Sequence, residues 1–98
     1  MRKLILIAAL LSFSALADPC KRVETTAKAI MEARQAEVEA HVVVSLYKEN
    51  ATETELKMYI IMIHDAYNSA LYNKKKDKKR AVKEYSNRYY MMCWKQWV

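Results

Sequence analysis

Residues 18–35 read DPCKRVETTAKAIMEARQ, and the fold turns on this stretch. Asp18 and Pro19 suit the cap and first position of a helix. The aspartate oxygen accepts from an unpaired backbone amide, and proline lacks the amide that would be orphaned there. Cys20, Val23, Ala27, Ile30 and Met31 then recur at helical spacing, with Glu24, Lys28, Glu32 and Gln35 on the other side. The spacing predicts a helix over 19–35 that buries one face and opens with a cysteine.

Upstream, Arg2 and Lys3 supply positive charge, Leu4 to Leu11 is an unbroken apolar run, and Ala15, Leu16 and Ala17 give a small-x-small site. This is the order of a secretory signal, with the cut before Asp18. Residues 1–17 are expected to be a cleaved signal peptide, and 18–98 one helical domain that is periplasmic or secreted. A spanning helix needs about 20 apolar residues, and Asp18-Pro19 interrupts this run sooner. Lipidation of Cys20 is disfavoured, because Asp18 and Pro19, and not a small neutral residue, stand just before it. An uncleaved anchor is the remaining alternative.

Export changes what the two cysteines mean. An even number in an exported chain suggests a disulfide, and Cys20 and Cys93 allow one intramolecular pairing. A catalytic thiol and an intermolecular bridge are the competing readings. The pairing also constrains topology. Cys20 opens the first helix and Cys93 nearly closes the last, so their Cα atoms must come within about 7 Å. In an up-and-down bundle an even number of helices brings these ends together, whereas three full-length helices separate them. The expected fold is all-α, a small bundle of three to four helices stapled by one disulfide. Four elements are favoured, with a bent three-helix arrangement as the alternative.

The remaining sequence agrees. There is no glycine, and Pro19 is the only proline, which argues against tight hairpins and removes glycine-rich phosphate loops. Val42, Val43, Val44, Leu46 and Tyr47 favour a strand by propensity. No second run is present to pair with it, so a short helix within 36–49 is expected. Thr52 with Glu55 fits a capping box, as do Asn50 and Glu53 by spacing. A third helix is expected over 53–73, with Leu56, Ile60, Ile63, Tyr67, Ala70 and Leu71 as its core stripe. Asp77 is the expected cap of a fourth, over 78–96, in which Val82, Tyr85, Tyr89 and Cys93 share a face.

Two candidate surfaces emerge. Met58, Ile61, Met62 and Tyr72 project away from the third helix's expected stripe, as a second buried face or as a methionine-rich docking patch. Trp94, beside Met91, is a further contact candidate. Charge is also uneven. Residues 18–73 carry six basic and nine acidic side chains, net −3, while residues 74–98 carry nine basic and two acidic, net +7. Lys74, Lys75, Lys76, Lys78, Lys79 and Arg80 form an expected basic loop. It reads either as a solvated cap on the third helix or as a binder of anionic lipid or lipopolysaccharide. Export disfavours nucleic acid as a partner.

Catalytic chemistry is poorly supported. His41 and His64 lack metal-ligand spacing. His64 and Asp65 are neighbours, but neighbours on a helix point about 100° apart. Ser45 and Ser69 lie in no nucleophile motif. No catalytic residue, metal site or cofactor is assigned, and the chain is not read as an enzyme. Asn50-Ala51-Thr52 is a glycosylation triplet that overlaps the expected helix cap.

The cysteine at the start of the first helix, the segment Ala29-Ile30-Met31-Glu32-Ala33-Arg34-Gln35 and the ending Tyr85 to Tyr89-Tyr90-Met91-Met92-Cys93 carry a resemblance. With the signal peptide, they make the chain similar to a group of small exported proteins encoded by bacteriophages and prophages. Members usually have a glycine soon after the Arg-Gln pair, where this chain has Ala36-Glu37-Val38. The resemblance implies a compartment and no catalytic residue. In outline the chain is also similar to small disulfide-bonded periplasmic effectors of large lytic phages, which bind a lysozyme domain or a holin. By that analogy it implies a protein partner in the envelope, with lysis or superinfection control as the setting. Intact-mass analysis of the exported protein should give a chain starting at Asp18 and two hydrogens lighter than its reduced form.

Overall fold

A computed structural model describes residues 19–97. The expected signal peptide, its cleavage site and the Asp18 cap lie outside them. Four helices follow in order: α1 Pro19–Gln35, α2 Ala40–Lys48, α3 Glu53–Tyr67 and α4 Lys75–Trp97. No strand occurs among the described residues. The valine run forms α2 and buries Val43 against the other helices.

The helices alternate in direction. Cys20 and Cys93 are disulfide-bonded with Cα atoms 5.5 Å apart, which ties the start of α1 to the end of α4. At the opposite pole, Lys78 Nζ near the start of α4 donates to the Gln35 carbonyl at 2.6 Å. α1 and α4 are therefore antiparallel, and theirs is the most extensive pairing in the fold. α2 and α3 pack on each other, and both lean on α1. The core is Ala27, Ile30 and Met31 of α1, Val43 of α2, Met62, Ile63 and Ala66 of α3, and Tyr85 of α4. Each fully buried aliphatic side chain here contributes about 2 kcal/mol. Few such residues are available in so small a body, which is why the crosslink matters.

α1 ends in a Schellman turn. Val38 N–H donates to the Ala33 carbonyl and Glu37 N–H to the Arg34 carbonyl, both at 3.0 Å. The motif places Glu37 in the left-handed region at φ 63°, where glycine is the usual occupant because it has no Cβ. The glycine expected from the resemblance is absent, yet the turn forms. Val38 packs on the core, and its carbonyl accepts from the Tyr67 hydroxyl, which holds the turn from outside.

Three sequence expectations are corrected. The third helix ends at Tyr67, short of residue 73, because α1 captures the chain that follows. The Arg34 guanidinium donates to the Ser69 carbonyl at 3.0 and 3.3 Å. The buried Gln35 amide donates to the Ala70 carbonyl at 2.8 Å and accepts from Tyr72 N–H at 3.0 Å. Backbone groups that would continue a helix are thus bonded elsewhere. The fourth helix starts at Lys75, ahead of Asp77, which lies in its first turn. Finally, the face of α3 is rotated. Tyr59, Met62, Ile63 and Ala66 face the core, whereas Ile60, Ala70 and Leu71 of the expected stripe are exposed. α3 is apolar on several sides, so periodicity alone does not select the buried one. The capping box at Thr52 forms as read: Glu55 N–H donates to Thr52 Oγ1 at 3.2 Å, and Thr52 N–H to the Glu55 carboxylate at 2.9 Å.

Replacing both Cys20 and Cys93 with serine should lower stability by about 4 kcal/mol, the loop-closure contribution for a separation of 73 residues; urea unfolding with and without reductant measures it. Glu37→Gly should raise stability by about 0.5–1 kcal/mol, relief of the left-handed strain less the added freedom of the unfolded chain. Thermal melts should show a rise of about 3–6 °C for a body of this size, and Glu37→Val should show a fall.

Candidate functional site

α3 and α4 both rest on α1, but their backbones approach each other little. Side chains span the gap at mid-height. The Tyr85 hydroxyl donates to the Met62 carbonyl. Arg88 Nη2 and the Tyr89 hydroxyl both donate to Asp65 Oδ2, at 2.8 and 3.0 Å. The Tyr85 and Tyr89 rings lie 4.9 Å apart, with the Arg88 guanidinium over them. Burial pushes both phenols above their ordinary pKa, with the nearby Asp65 charge adding to the effect. They stay neutral donors at physiological pH, the state that such bridging needs.

Toward the disulfide from these bridges, the space between α3 and α4 stays open as an apolar groove of about 630 Å³. Three helices contribute one row each at helical spacing: Pro19, Arg22, Val23 and Thr26 from α1; Met58, Tyr59, Ile61 and Met62 from α3; and Tyr89, Met92, Cys93 and Gln96 from α4. Ile61 is 65% exposed and Met92 50%, while Met62 is 1% exposed. Met62 is thus the floor, and Met58, Ile61 and Met92 are the accessible walls. The Glu55 carboxylate marks one rim. Its pKa is held below the ordinary value by the Thr52 backbone N–H and hydroxyl, with the Arg22 charge adding to this.

Only part of the candidate surface read from sequence is brought together here. Met58 and Ile61 line the groove as exposed residues. Met62 lines it too, but as a core side chain, a correction to its reading as part of an exposed patch. Tyr72 is exposed at the opposite pole, its backbone held by Gln35, so it joins no surface with Met58. Trp94 is exposed with its ring beside Tyr90 at 6.4 Å, outside the groove lining. Met92 and Arg22 were missed. Each belongs to a row directly beside a recognised core stripe, and that adjacency is the one signal that marks them.

The basic loop is also corrected. Lys75 to Arg80 are the opening turns of α4, and only Lys74 precedes it. Lys78 satisfies the end of α1 rather than α3, and Arg80 lies 3.9 Å from Asp77. Among the described residues no group of three or more His, Cys, Asp or Glu side chains is placed to hold a metal. His64 contacts Asn68 at 3.2 Å while Asp65 turns to α4, so this pair is divided as helical geometry requires. Thr52 of the glycosylation triplet is taken up by its cap.

No family model, curated protein or solved structure matches the chain. The disulfide fits an oxidising compartment, and no described helix is long and apolar enough to cross a membrane.

Proposed function

We propose that this is a non-catalytic exported protein of the periplasm that holds an apolar helical segment of an envelope protein in the groove between α3 and α4. The observation that carries the reading is an open apolar trough whose walls, Met58, Ile61 and Met92, stay accessible around a buried floor. Three rows of side chains at helical spacing suit an amphipathic helix laid along them. Unbranched methionines adapt to a partner's shape at little strain. The disulfide and the Asp65 bridges hold the trough at both ends, which reduces the ordering cost of binding. The setting we propose, from the resemblance to phage- and prophage-encoded exported proteins, is modification of the bacterial envelope in lysis or superinfection control.

The test uses a photo-crosslinking residue placed in turn at positions 61, 92 and 46, in cells that export the protein. Leu46 is 63% exposed on α2, as open as Ile61 but away from the groove. Positions 61 and 92 should crosslink to the same envelope protein, and position 46 should not. Ile61→Asp should weaken that complex at least about tenfold, since a charge buried unpaired in an apolar contact is strongly unfavourable, while Leu46→Asp leaves it intact. Equal crosslinking from all three positions, or an unchanged complex with Ile61→Asp, rejects the reading.

A further inference from the structure

The α1–α4 seam has a second open side. An elongated groove of about 860 Å³ runs along it, lined by Lys21 and Lys28 of α1 and Lys75, Lys78, Lys79 and Lys83 of α4, over Val82 and Ala36. α1 turns Lys21, Thr25, Lys28 and Glu32 to this groove and Arg22, Val23 and Thr26 to the apolar one, so the two lie on opposite sides of the helix. Glu24 and Glu32 are the acidic side chains of the lining, and Glu24 is paired with Lys21 at 3.0 Å. Lys78 is engaged by the Gln35 carbonyl. Lys28, Lys75, Lys79 and Lys83 enter no ion pair among the described residues.

The lysine stripe on α4 does not stop at the groove. Lys79, Lys83, Tyr90 and Trp94 follow helical spacing on one edge of α4, so basic residues at one end give way to aromatic ones at the other. The Tyr90 and Trp94 rings touch at a 6.4 Å centroid distance, and Trp94 is exposed. Exposed lysines around an apolar floor, beside a half-buried tyrosine and an exposed tryptophan, are a combination suited to a bilayer surface. The ammonium groups meet lipid phosphates, and the amphipathic rings settle at headgroup depth. A polyanion without apolar groups, such as polyglutamate, makes no use of the aromatic half, and export disfavours nucleic acid.

We propose that this outer face of the α1–α4 pair docks on an anionic lipid bilayer, leaving the apolar groove on the other side open to its protein partner. Each lysine near such a surface strengthens partitioning about fivefold. The site is discontinuous in sequence, because Lys28 joins Lys75, Lys79 and Lys83 only through the antiparallel pairing.

The experiment uses the oxidised chain from Asp18 onward, which contains every core residue and both cysteines. It is co-sedimented with vesicles of phosphatidylglycerol and phosphatidylethanolamine, and separately with phosphatidylcholine vesicles. Binding should be confined to the anionic vesicles and fall with added salt. Changing Lys28, Lys75, Lys79 and Lys83 together to glutamine should weaken it about a hundredfold or more, with thermal melts confirming that the fold is kept. Lys78 is left intact because it caps α1. Trp94→Ser should weaken binding several-fold, and Ile61→Asp should leave it unchanged, which separates this surface from the protein-binding groove. Equal binding to phosphatidylcholine, full binding by the glutamine variant, or binding to polyglutamate or DNA with none to vesicles overturns the proposal.

Discussion

One covalent tie between the first turn of α1 and the last turns of α4 governs this molecule. Cys20 and Cys93 are separated by 73 residues and sit at the same pole. For that to happen the segment between them must rise and fall an even number of times, and the described residues do so in four helices. The tie sets α1 and α4 side by side along their length, and every other element is placed with reference to that pair. A body whose core, among the described residues, rests on eight side chains has little apolar burial with which to offset chain entropy. Restricting the unfolded chain therefore counts for a large share of its stability.

The second constraint is polar and sits at the other pole. α1 ends in Arg34 and Gln35; both donate to carbonyls of the backbone segment that leaves α3, and Gln35 also accepts from Tyr72 N–H. Gln35 is buried with both ends of its amide satisfied, and no described buried side-chain nitrogen or oxygen lacks a partner. A buried amide fully bonded in this way specifies one arrangement, because any shift strands a polar atom out of water. Lys78 closes the same end from α4. The disulfide pole is thus held by a covalent bond and the opposite pole by hydrogen bonds.

Between these poles α1 serves as a partition. On one side α3 and α4 are bridged by Tyr85, Arg88 and Tyr89 and leave an apolar trough beyond the bridges. On the other, the seam with α4 is open and basic. The accessible methionines thus gather on one side and the lysines on the other. A single small body has room for a protein contact and a lipid contact at once, facing away from each other.

Much of this was legible along the chain. Amphipathic spacing placed α1 and the buried face of α4, though it set Gln35 on the outer side of α1, where the structure buries it. The Thr52–Glu55 spacing marked the start of α3, and the absence of a pairing partner made the valine run helical. These are local matters: backbone propensity, capping and periodicity act within a few residues. The end of α3, its buried side and the true status of the lysine run were not legible. α3 is apolar on more than one side, so its core face is chosen by what α1 and Tyr85 offer. Its end is chosen by Arg34 and Gln35, some 35 residues away. By itself the sequence determined helix content, polarity of termini and the one covalent closure that the cysteines permit. Which side chains became floor and which wall, and which lysines from distant segments share a groove, was decided only when the helices packed, since burial and electrostatic neighbourhood depend on distances in space that helical periodicity does not encode.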